Sequence, residues 1–162
     1  MKEIEVKVIE VNKEEMIEKL INLGAKKVFE GTLSGNWYKN TKNVLLRLRK
    51  EGPKTFLTMK KKISKDKAKV MEELETEVKE FEIMHEILAN FFEFNAMPKK
   101  QRIKYKLKDT SFDFDEYEGI PVFMEIEAGS IEKIEEYIRK LNIDQSNVKN
   151  WTGKELLEHY KK

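Results

Sequence analysis

The chain has 162 residues, of which 40% are hydrophobic and 38% charged, which suits a single globular domain over residues 1–162 with an unusually ionic character. Its 32 Lys and Arg residues nearly balance its 30 Asp and Glu residues, which argues against a general nucleic-acid binder with a large basic excess. The absence of cysteine excludes disulfides, thiolate metal sites and cysteine nucleophiles, and two histidines are too few for a multi-histidine zinc site.

Periodic patterns along the chain predict eight strands and four helices. In chain order they are a strand at 2–11, a helix at 13–23, strands at 26–38, 44–50, 55–63 and 70–79, a helix at 80–92, strands at 99–108, 110–117 and 121–128, and helices after Ser130 and Thr152. Asn12 is the predicted N-cap of the first helix and Gly24 its stop, while Glu155 completes a capping box with Thr152. Runs of strands between helices favour antiparallel pairing and an α+β class, and eight strands are enough to close a barrel.

Charged residues share one face of each of seven predicted strands, and apolar residues occupy the other face. On the first strand, Glu3, Glu5 and Lys7 lie opposite apolar positions. The same-face sets on the later strands are Arg47 and Arg49; Thr58, Lys60 and Lys62; Glu73, Glu75 and Glu77; Lys100, Arg102, Lys104 and Lys106; Asp113, Asp115 and Tyr117; and Glu125 and Glu127.

An ordinary sheet with one solvated face would explain any single one of these strands. Seven together favour a barrel, because a solvated face would also carry threonine, serine and glutamine. Charges inside a barrel are costly unless they are paired or bound to a ligand. Carboxylates suit Mg²⁺ or Mn²⁺, and arginine and lysine suit phosphate oxygens. The pattern therefore predicts a metal-bound, multiply charged phosphate compound as the ligand.

Several short motifs follow one another over nearly the whole chain. They are Glu3-x-Glu5-x-Lys7, Asn36-Trp37-Tyr38, Leu46-Arg47-Leu48-Arg49, Leu57-Thr58-Met59-Lys60, Glu75-Thr76-Glu77-Val78, Lys100-Gln101-Arg102 with Tyr105, Asp115, and Glu125-Ile126-Glu127. The ordered set resembles the CYTH superfamily, also called triphosphate tunnel metalloenzymes. The resemblance implies a closed eight-stranded antiparallel β-barrel, the triphosphate tunnel, with helices packed outside.

The resemblance also implies roles for individual residues. Mg²⁺ or Mn²⁺ would be bound by Glu3, Glu5, Glu125 and Glu127, with Asp115 and Glu77 in support. The triphosphate would be held by Lys7, Arg47, Arg49, Lys60, Lys100 and Arg102. Glu3, Glu5 and Lys7 would form the catalytic group. The choice between Glu75 and Glu77 stays open, because both lie on the charged face.

The family contains class IV adenylyl cyclases, thiamine triphosphatases, and inorganic or nucleoside triphosphatases, so the expected substrate is a small-molecule triphosphate. A phosphohydrolase is the leading hypothesis, because hydrolysis requires no nucleoside pocket. The alternatives are a class IV adenylyl cyclase that converts ATP to cyclic AMP and pyrophosphate, and a module that binds phosphates without turnover. We expect no nucleic-acid partner, and a homodimer stays open.

No apolar run approaches the ~18 residues needed to cross a bilayer, and no apolar signal core follows Met1, so we expect a soluble, cytoplasmic protein without a membrane partner. The basic segment 60–69 is interpreted either as a solvated hairpin loop or as a basic lid over an anion. Lys154 is a candidate for closing the tunnel entrance. Trp37 and Trp151 are expected to be core or rim aromatics and not base-stacking platforms.

Overall fold

A computed structural model of the chain describes residues 2–42 and 44–161, in which ten strands and four α-helices are present. In chain order the elements are β1 (Lys2–Val8), α1 (Lys13–Asn22), β2 (Lys26–Tyr38), β3 (Leu45–Glu51), β4 (Lys54–Lys65), β5 (Lys69–Val78), α2 (Phe81–Ala89), β6 (Phe94–Ala96), β7 (Lys100–Leu107), β8 (Thr110–Tyr117), β9 (Phe123–Ala128), α3 (Ile131–Lys140), a 3-10 turn (Gln145–Asn147), β10 (Val148–Lys149) and α4 (Gly153–Tyr160). All the predicted strands and helices are present, which confirms the α+β class.

Eight of the strands close into an antiparallel barrel. Their order around it is β1-β5-β4-β3-β2-β7-β8-β9, and β9 pairs with β1 from Ile4↔Ala128 to Val8↔Met124. At Gly35 the backbone of β2 passes so close to β3 that a Cβ atom would lie 2.0 Å from the Leu48 carbonyl oxygen, so only glycine fits there. The closed eight-stranded barrel expected from the sequence is confirmed.

Two short strands were not predicted. β6 pairs with the end of β2 (Trp37↔Asn95), and β10 pairs with the end of β1 (Lys7↔Lys149). Runs of three and two residues are too short to show an alternating pattern. They become strands only because the barrel offers them a partner.

The apolar core lies outside the barrel wall. The main cluster joins Val6 of β1 and Phe112 of β8 to Leu20 of α1 and Ile134 of α3, so α1 and α3 cover one side of the barrel. Helix α2 covers the outer face of β2 and β3. Because the outward-facing side chains meet the helices, the charged side chains of the same strands point inward.

Helix α4 lies at one end of the barrel. Its Leu156 is fully buried against Ile9, just after β1, and Phe123, the first residue of β9, with Tyr117 at the end of β8 beside them. These positions share one end with the β2–β3 and β4–β5 hairpins, because neighbouring strands are antiparallel. We call this end the α4 mouth. No helix of the described residues has both the length and the apolar character needed to span a bilayer.

The predicted helix caps are present. The Asn12 side chain accepts a hydrogen bond from the Glu15 backbone N–H at 3.0 Å, and Gly24 follows α1 with a φ of 92°. Thr152 and Glu155 form the complete capping box at the start of α4. Lys65 Nζ lies 2.5 Å from Oε1 of the same Glu155, and this ion pair connects α4 to the β4–β5 hairpin.

Candidate active site

The inner face of the barrel carries a divided set of charges. Directly opposed residues of antiparallel strands point to the same side, so the pairs Arg47↔Thr58 and Thr58↔Glu75 place all three on one face. Acidic residues dominate β1, β5, β8 and β9, and basic residues dominate β3, β4 and β7. The buried charged side chains on the inner face are Glu3, Glu5, Lys7, Arg49, Arg102, Asp113 and Asp115.

Arg102 is the most fully paired cation of the lumen. Its Nε and Nη2 atoms donate to Asp115 at 2.6 Å each, Nη1 contacts Asp113 at 2.5 Å, and Nη2 donates to Glu125 at 3.0 Å. Burial would lower the pKa of Arg102, but Asp115 and Asp113 outweigh it and hold that pKa well above its usual value. Removing Arg102 would leave each of these buried carboxylates with a single lysine contact.

Lys7 joins two of the predicted metal ligands. Its Nζ lies 3.1 Å from Glu5 Oε1 and 2.7 Å from Glu125 Oε1, and Lys69 contacts the same Glu5 oxygen. Burial would raise the pKa of Glu5, but the neighbouring Lys7 charge reverses this effect and the pKa is lowered. Glu5 is therefore a carboxylate that the folded chain holds in its charged form.

Glu127, in contrast to Glu5, is held in its protonated form. Burial and the nearby carboxylate of Glu3, with which its side chain hydrogen-bonds, raise the pKa of Glu127 to about 8. Glu3 in turn accepts from Lys60 Nζ at 2.6 and 2.8 Å, and Lys60 lies 2.7 Å from Glu73. Near neutral pH the metal-free lumen thus keeps a proton between two carboxyl groups.

This proton gives the metal-free protein a predictable pH dependence. The pKa of Glu127 is higher in the folded chain than its usual value of 4.5, so between these values the folded chain binds one proton more than the unfolded chain. The free energy of unfolding should therefore fall as the pH rises from about 5 to 8, by at most about 1.4 kcal/mol per pH unit. Urea titrations in EDTA across this range measure the slope. The difference between wild type and Glu127→Gln isolates this group, and equal slopes for the two proteins would contradict the assignment.

Three cations of the basic side, Arg47, Arg49 and Lys100, are not fully compensated by carboxylates or hydrogen-bond acceptors. The buried Nε atoms of Arg47 and Arg49 have no hydrogen-bond partner among the described residues, and none of the described carboxylates forms an ion pair with Arg47. Burial and the neighbouring Arg49 charge lower the pKa of Arg47 to about 10. Burial and Arg102 likewise lower the pKa of Lys100, although Lys100 contacts Asp115 at 2.5 Å. An anion placed against these groups would stabilise them.

The structure separates Glu75 from Glu77. Glu75 accepts a hydrogen bond from Thr58 Oγ1 at 2.7 Å and lies 3.7 Å from Arg49 Nη2, within the charged lumen. Glu77 is half-exposed and pairs with Lys54 at 3.2 Å, so the structure does not bring it together with the other predicted metal ligands.

Helix α4 does not present Lys154 to the tunnel. The Lys154 side chain is 84% exposed and faces Glu158 of the same helix. The tail approaches the α4 mouth with Trp151 and Leu156 instead.

The predicted site left out several inner-face residues, among them Asp113, Lys104, Lys69 and Glu73. Asp113 and Lys104 contact each other at 3.6 Å beside Arg102, and alternation had already placed both on the charged face. Lys69 was hidden in the basic segment 60–69, although extending the β5 alternation by one step would have found it. That segment is a hairpin of β4 and β5 with exposed lysines such as Lys67, while Lys60 and Lys69 enter the lumen and Lys65 contacts α4.

The donor set of the lumen fits a hard divalent cation. Among the described residues, no three acidic side chains form a ready-made metal site. Lys7, Lys60 and Arg102 instead lie between the carboxylates. The oxygens have the right chemistry, however: Glu127 holds a proton that a cation could replace, and Asp113 Oδ1 is buried without a hydrogen-bond partner. Metal binding here would require a proton to leave and lysine contacts to rearrange.

Comparison with known proteins identifies relatives that match nearly the whole chain. Residues 1–150 match the CYTH domain. A protein of Methanocaldococcus jannaschii named "Putative adenylate cyclase" is 30% identical, over 91% of this chain and 94% of that protein. A solved structure from Pyrococcus horikoshii OT3 is 28% identical, with a TM-score of 0.81 over 95% of this chain and 98% of that one. A Hippeastrum protein, described as a putative adenylyl cyclase with a dominant triphosphatase activity, has the same fold at 15% identity, with a TM-score of 0.59 over 98% of this chain and 95% of that one.

Proposed function

The chain belongs to the CYTH domain family, and from this membership and the geometry of the lumen we propose that it is a divalent-metal-dependent enzyme that hydrolyses a triphosphate. The observation that carries the proposal is the division of the lumen. One side holds the under-compensated cations Arg47 and Lys100, and the facing side holds a carboxyl group, Glu127, that keeps its proton when no metal ion is bound. A metal-bound polyphosphate supplies both missing partners at once.

The basic side would bind the phosphate oxygens. The Nε–H donors of Arg47 and Arg49 are buried without a hydrogen-bond partner among the described residues, and charge-assisted hydrogen bonds to phosphate are strong ones. Lys60 and Lys100 would exchange contacts with Glu3 and Asp115 for contacts with phosphate. Several cations around one substrate hold it in a fixed position, which is the main contribution a protein makes to phosphoryl transfer.

The acidic side would hold the metal. Glu3, Glu5, Glu125 and Glu127 provide the oxygens, and Lys7 fixes the side chains of Glu5 and Glu125 relative to each other. Asp115 supports this set through Arg102, which also contacts Glu125. When bound, Mg²⁺ or Mn²⁺ neutralises charge on the phosphate oxygens and lowers the pKa of a coordinated water.

A class IV adenylyl cyclase is the second candidate, and the name of the Methanocaldococcus jannaschii relative favours it. Cyclisation of ATP would use the same lumen. It would additionally require the ribose 3′-oxygen to lie in line with the α-phosphate, with pyrophosphate as the leaving group. The charged residues serve both reactions, so the products must separate them.

The deciding experiment follows the phosphorus products by NMR. The protein is incubated with ATP and with inorganic triphosphate, each with Mg²⁺ or Mn²⁺, and parallel samples contain EDTA. We expect release of orthophosphate that EDTA suppresses. Cyclic AMP with pyrophosphate and no orthophosphate would establish the cyclase instead, and no product with either metal would favour a binding module. The Glu127→Gln variant controls for a contaminating phosphatase. If a contaminant releases the orthophosphate, the variant sample will release as much of it as the wild-type sample.

A further inference from the structure

Helix α2 carries an apolar stripe that does not face the barrel. Ile83 and Ile87 are four residues apart and lie on one side of the helix, and Phe91 continues their line just after its end. The two isoleucines are half-exposed and Phe91 is 77% exposed, whereas Leu88, on the side that packs against the barrel, is buried. Single exposed apolar side chains are common, but a row of three along one helix indicates an interaction surface.

The outer face of β4 and β5 is a second uncovered apolar area. On other strands the outward-facing apolar residues are buried beneath helices, as Leu48 of β3 and Ile126 of β9 are. Leu74 of β5 is instead 59% exposed, and Met59, directly opposite it on β4, is only partly buried. Helix α2 packs on β2 and β3, and α3 packs on β1 and β9, so Leu74 lies between the two helices with its side chain largely in solvent.

These two apolar areas adjoin each other. The His85 ring, on one flank of α2, lies 4.5 Å from the Phe94 ring of β6, and β6 occupies the edge of β2 away from β3. Ile83 and Ile87 are each two residues from His85, so they lie on the opposite flank, which faces β4 and β5. We call the combined area the α2–β5 surface, which consists of Met59, Leu74, Ile83, Ile87 and Phe91.

The charges around the α2–β5 surface are complementary in sign. Helix α2 contains no lysine or arginine, and its exposed Glu86 forms no ion pair with the described residues. On the sheet, Glu72 is the direct partner of both Lys2 and Lys61, so this outward-facing row has an excess of one positive charge. Two copies of α2 would repel each other, whereas α2 of one molecule and the sheet of another attract.

We infer that the α2–β5 surface binds a second copy of the chain, with α2 of each protomer against the outer face of β4 and β5 of the other. The surface contains both the acidic helix and the sheet that receives it, so one two-fold axis satisfies both halves and the contact closes as a dimer. The inner faces of the same two strands carry Lys60 and Glu73, which contact each other at 2.7 Å. The dimer would therefore also hold in place a wall of the lumen, although the contact itself does not depend on the proposed function.

Sedimentation equilibrium of the full-length chain, from about 1 to 100 µM, tests this inference. The wild type should reach twice the mass of the chain within this range. Ile87→Lys places a like charge against the basic row, and Leu74→Glu places one against the acidic helix. Each variant should dimerise at least roughly a hundredfold more weakly. Val28→Lys, at a similarly exposed apolar position near the start of β2, is the matched control and should dimerise as the wild type does.

An equimolar mixture of Ile87→Lys and Leu74→Glu tests the helix-on-sheet arrangement. One half of the mixed contact is wild-type, and in the other half the introduced lysine and glutamate face each other, so the mixture should dimerise although neither variant does so alone. The exposed charge reversals Glu86→Lys and Lys61→Glu carry less risk to the fold and should show the same complementation. Circular dichroism establishes that each variant is folded.

Three results would overturn the inference. The first is a wild type that stays monomeric over the whole concentration range. The second is dimerisation of Ile87→Lys and Leu74→Glu, each alone, with the affinity of the wild type. The third is a mixture of folded variants that stays monomeric for both pairs of substitutions, which would exclude the packing of α2 on β4 and β5.

Discussion

Glu127→Gln is expected to reduce metal-dependent turnover by at least about a hundredfold without lowering the stability of the metal-free protein. The pKa of Glu127 is raised to about 8, so at neutral pH the native side chain is mainly a protonated carboxyl group, which the amide imitates in shape and charge. The amide cannot become a carboxylate when a cation arrives. Initial rates with Mg²⁺ and Mn²⁺ and urea unfolding at pH 7 in EDTA measure the two halves of this prediction.

Glu5→Gln provides the contrast that makes this result specific. It should lose turnover to a similar extent, but it should also destabilise the fold, because Lys7 and Lys69 lose the carboxylate that both contact. Glu116→Gln, on the outer face of β8, is the matched control and should leave rate and stability unchanged. Full activity of Glu127→Gln at saturating metal would remove Glu127 from the metal-binding set.

The charged face of the barrel could be predicted because strand alternation is a local property. Once Glu3, Glu5 and Lys7 are seen to share a face, the same rule applies independently to Arg102 and to Glu125, and seven agreeing strands leave few arrangements besides a closed barrel. The structure brings these residues into one lumen without any correction of face. The helix caps at Asn12 and Thr152 could also be predicted, since capping depends on neighbours within one turn.

Features that depend on the stagger of the strands could not be predicted. Alternation places Glu75 and Glu77 on the same face, and only the position along the strand shows that Glu77 reaches solvent beside Lys54. The ion-pair partners of each arginine could not be predicted either. Arg102 forms ion pairs with three carboxylates, whereas Arg47 forms none with the described carboxylates. Ion pairing across the lumen depends on contacts between strands that are distant in the sequence. It determines which charged residues stabilise the fold and which are free to bind a ligand.

The second large effect concerns two arginines of the same lumen. We expect Arg102 to contribute mainly to stability and Arg47 mainly to ligand binding. Arg102→Ala should destabilise the protein by about 3–5 kcal/mol, because the buried carboxylates of Asp113, Asp115 and Glu125 would lose the cation they share and each would keep only one lysine contact. Arg47→Ala should leave stability unchanged or slightly raised, because it removes a buried charge whose pKa is already lowered to about 10. Denaturant unfolding of both variants in phosphate-free buffer with EDTA measures this difference.

Ligand binding should show the reverse order for the folded variants. Arg47→Ala loses a charge-assisted contact of about 1.5–3 kcal/mol, which weakens binding of triphosphate roughly ten- to a hundredfold. Orthophosphate, which can reach other cations of the lumen, should lose less. Arg139→Ala, at an exposed position on α3, controls for the loss of one positive charge from the molecule. If Arg47→Ala were as unstable as Arg102→Ala, Arg47 would have to be paired within the chain as well as Arg102 is. Such a result would contradict the role of its Nε–H as a donor to phosphate. Binding losses equal for triphosphate and orthophosphate would show instead that Arg47 acts through the overall charge of the lumen and not by gripping a particular phosphate group.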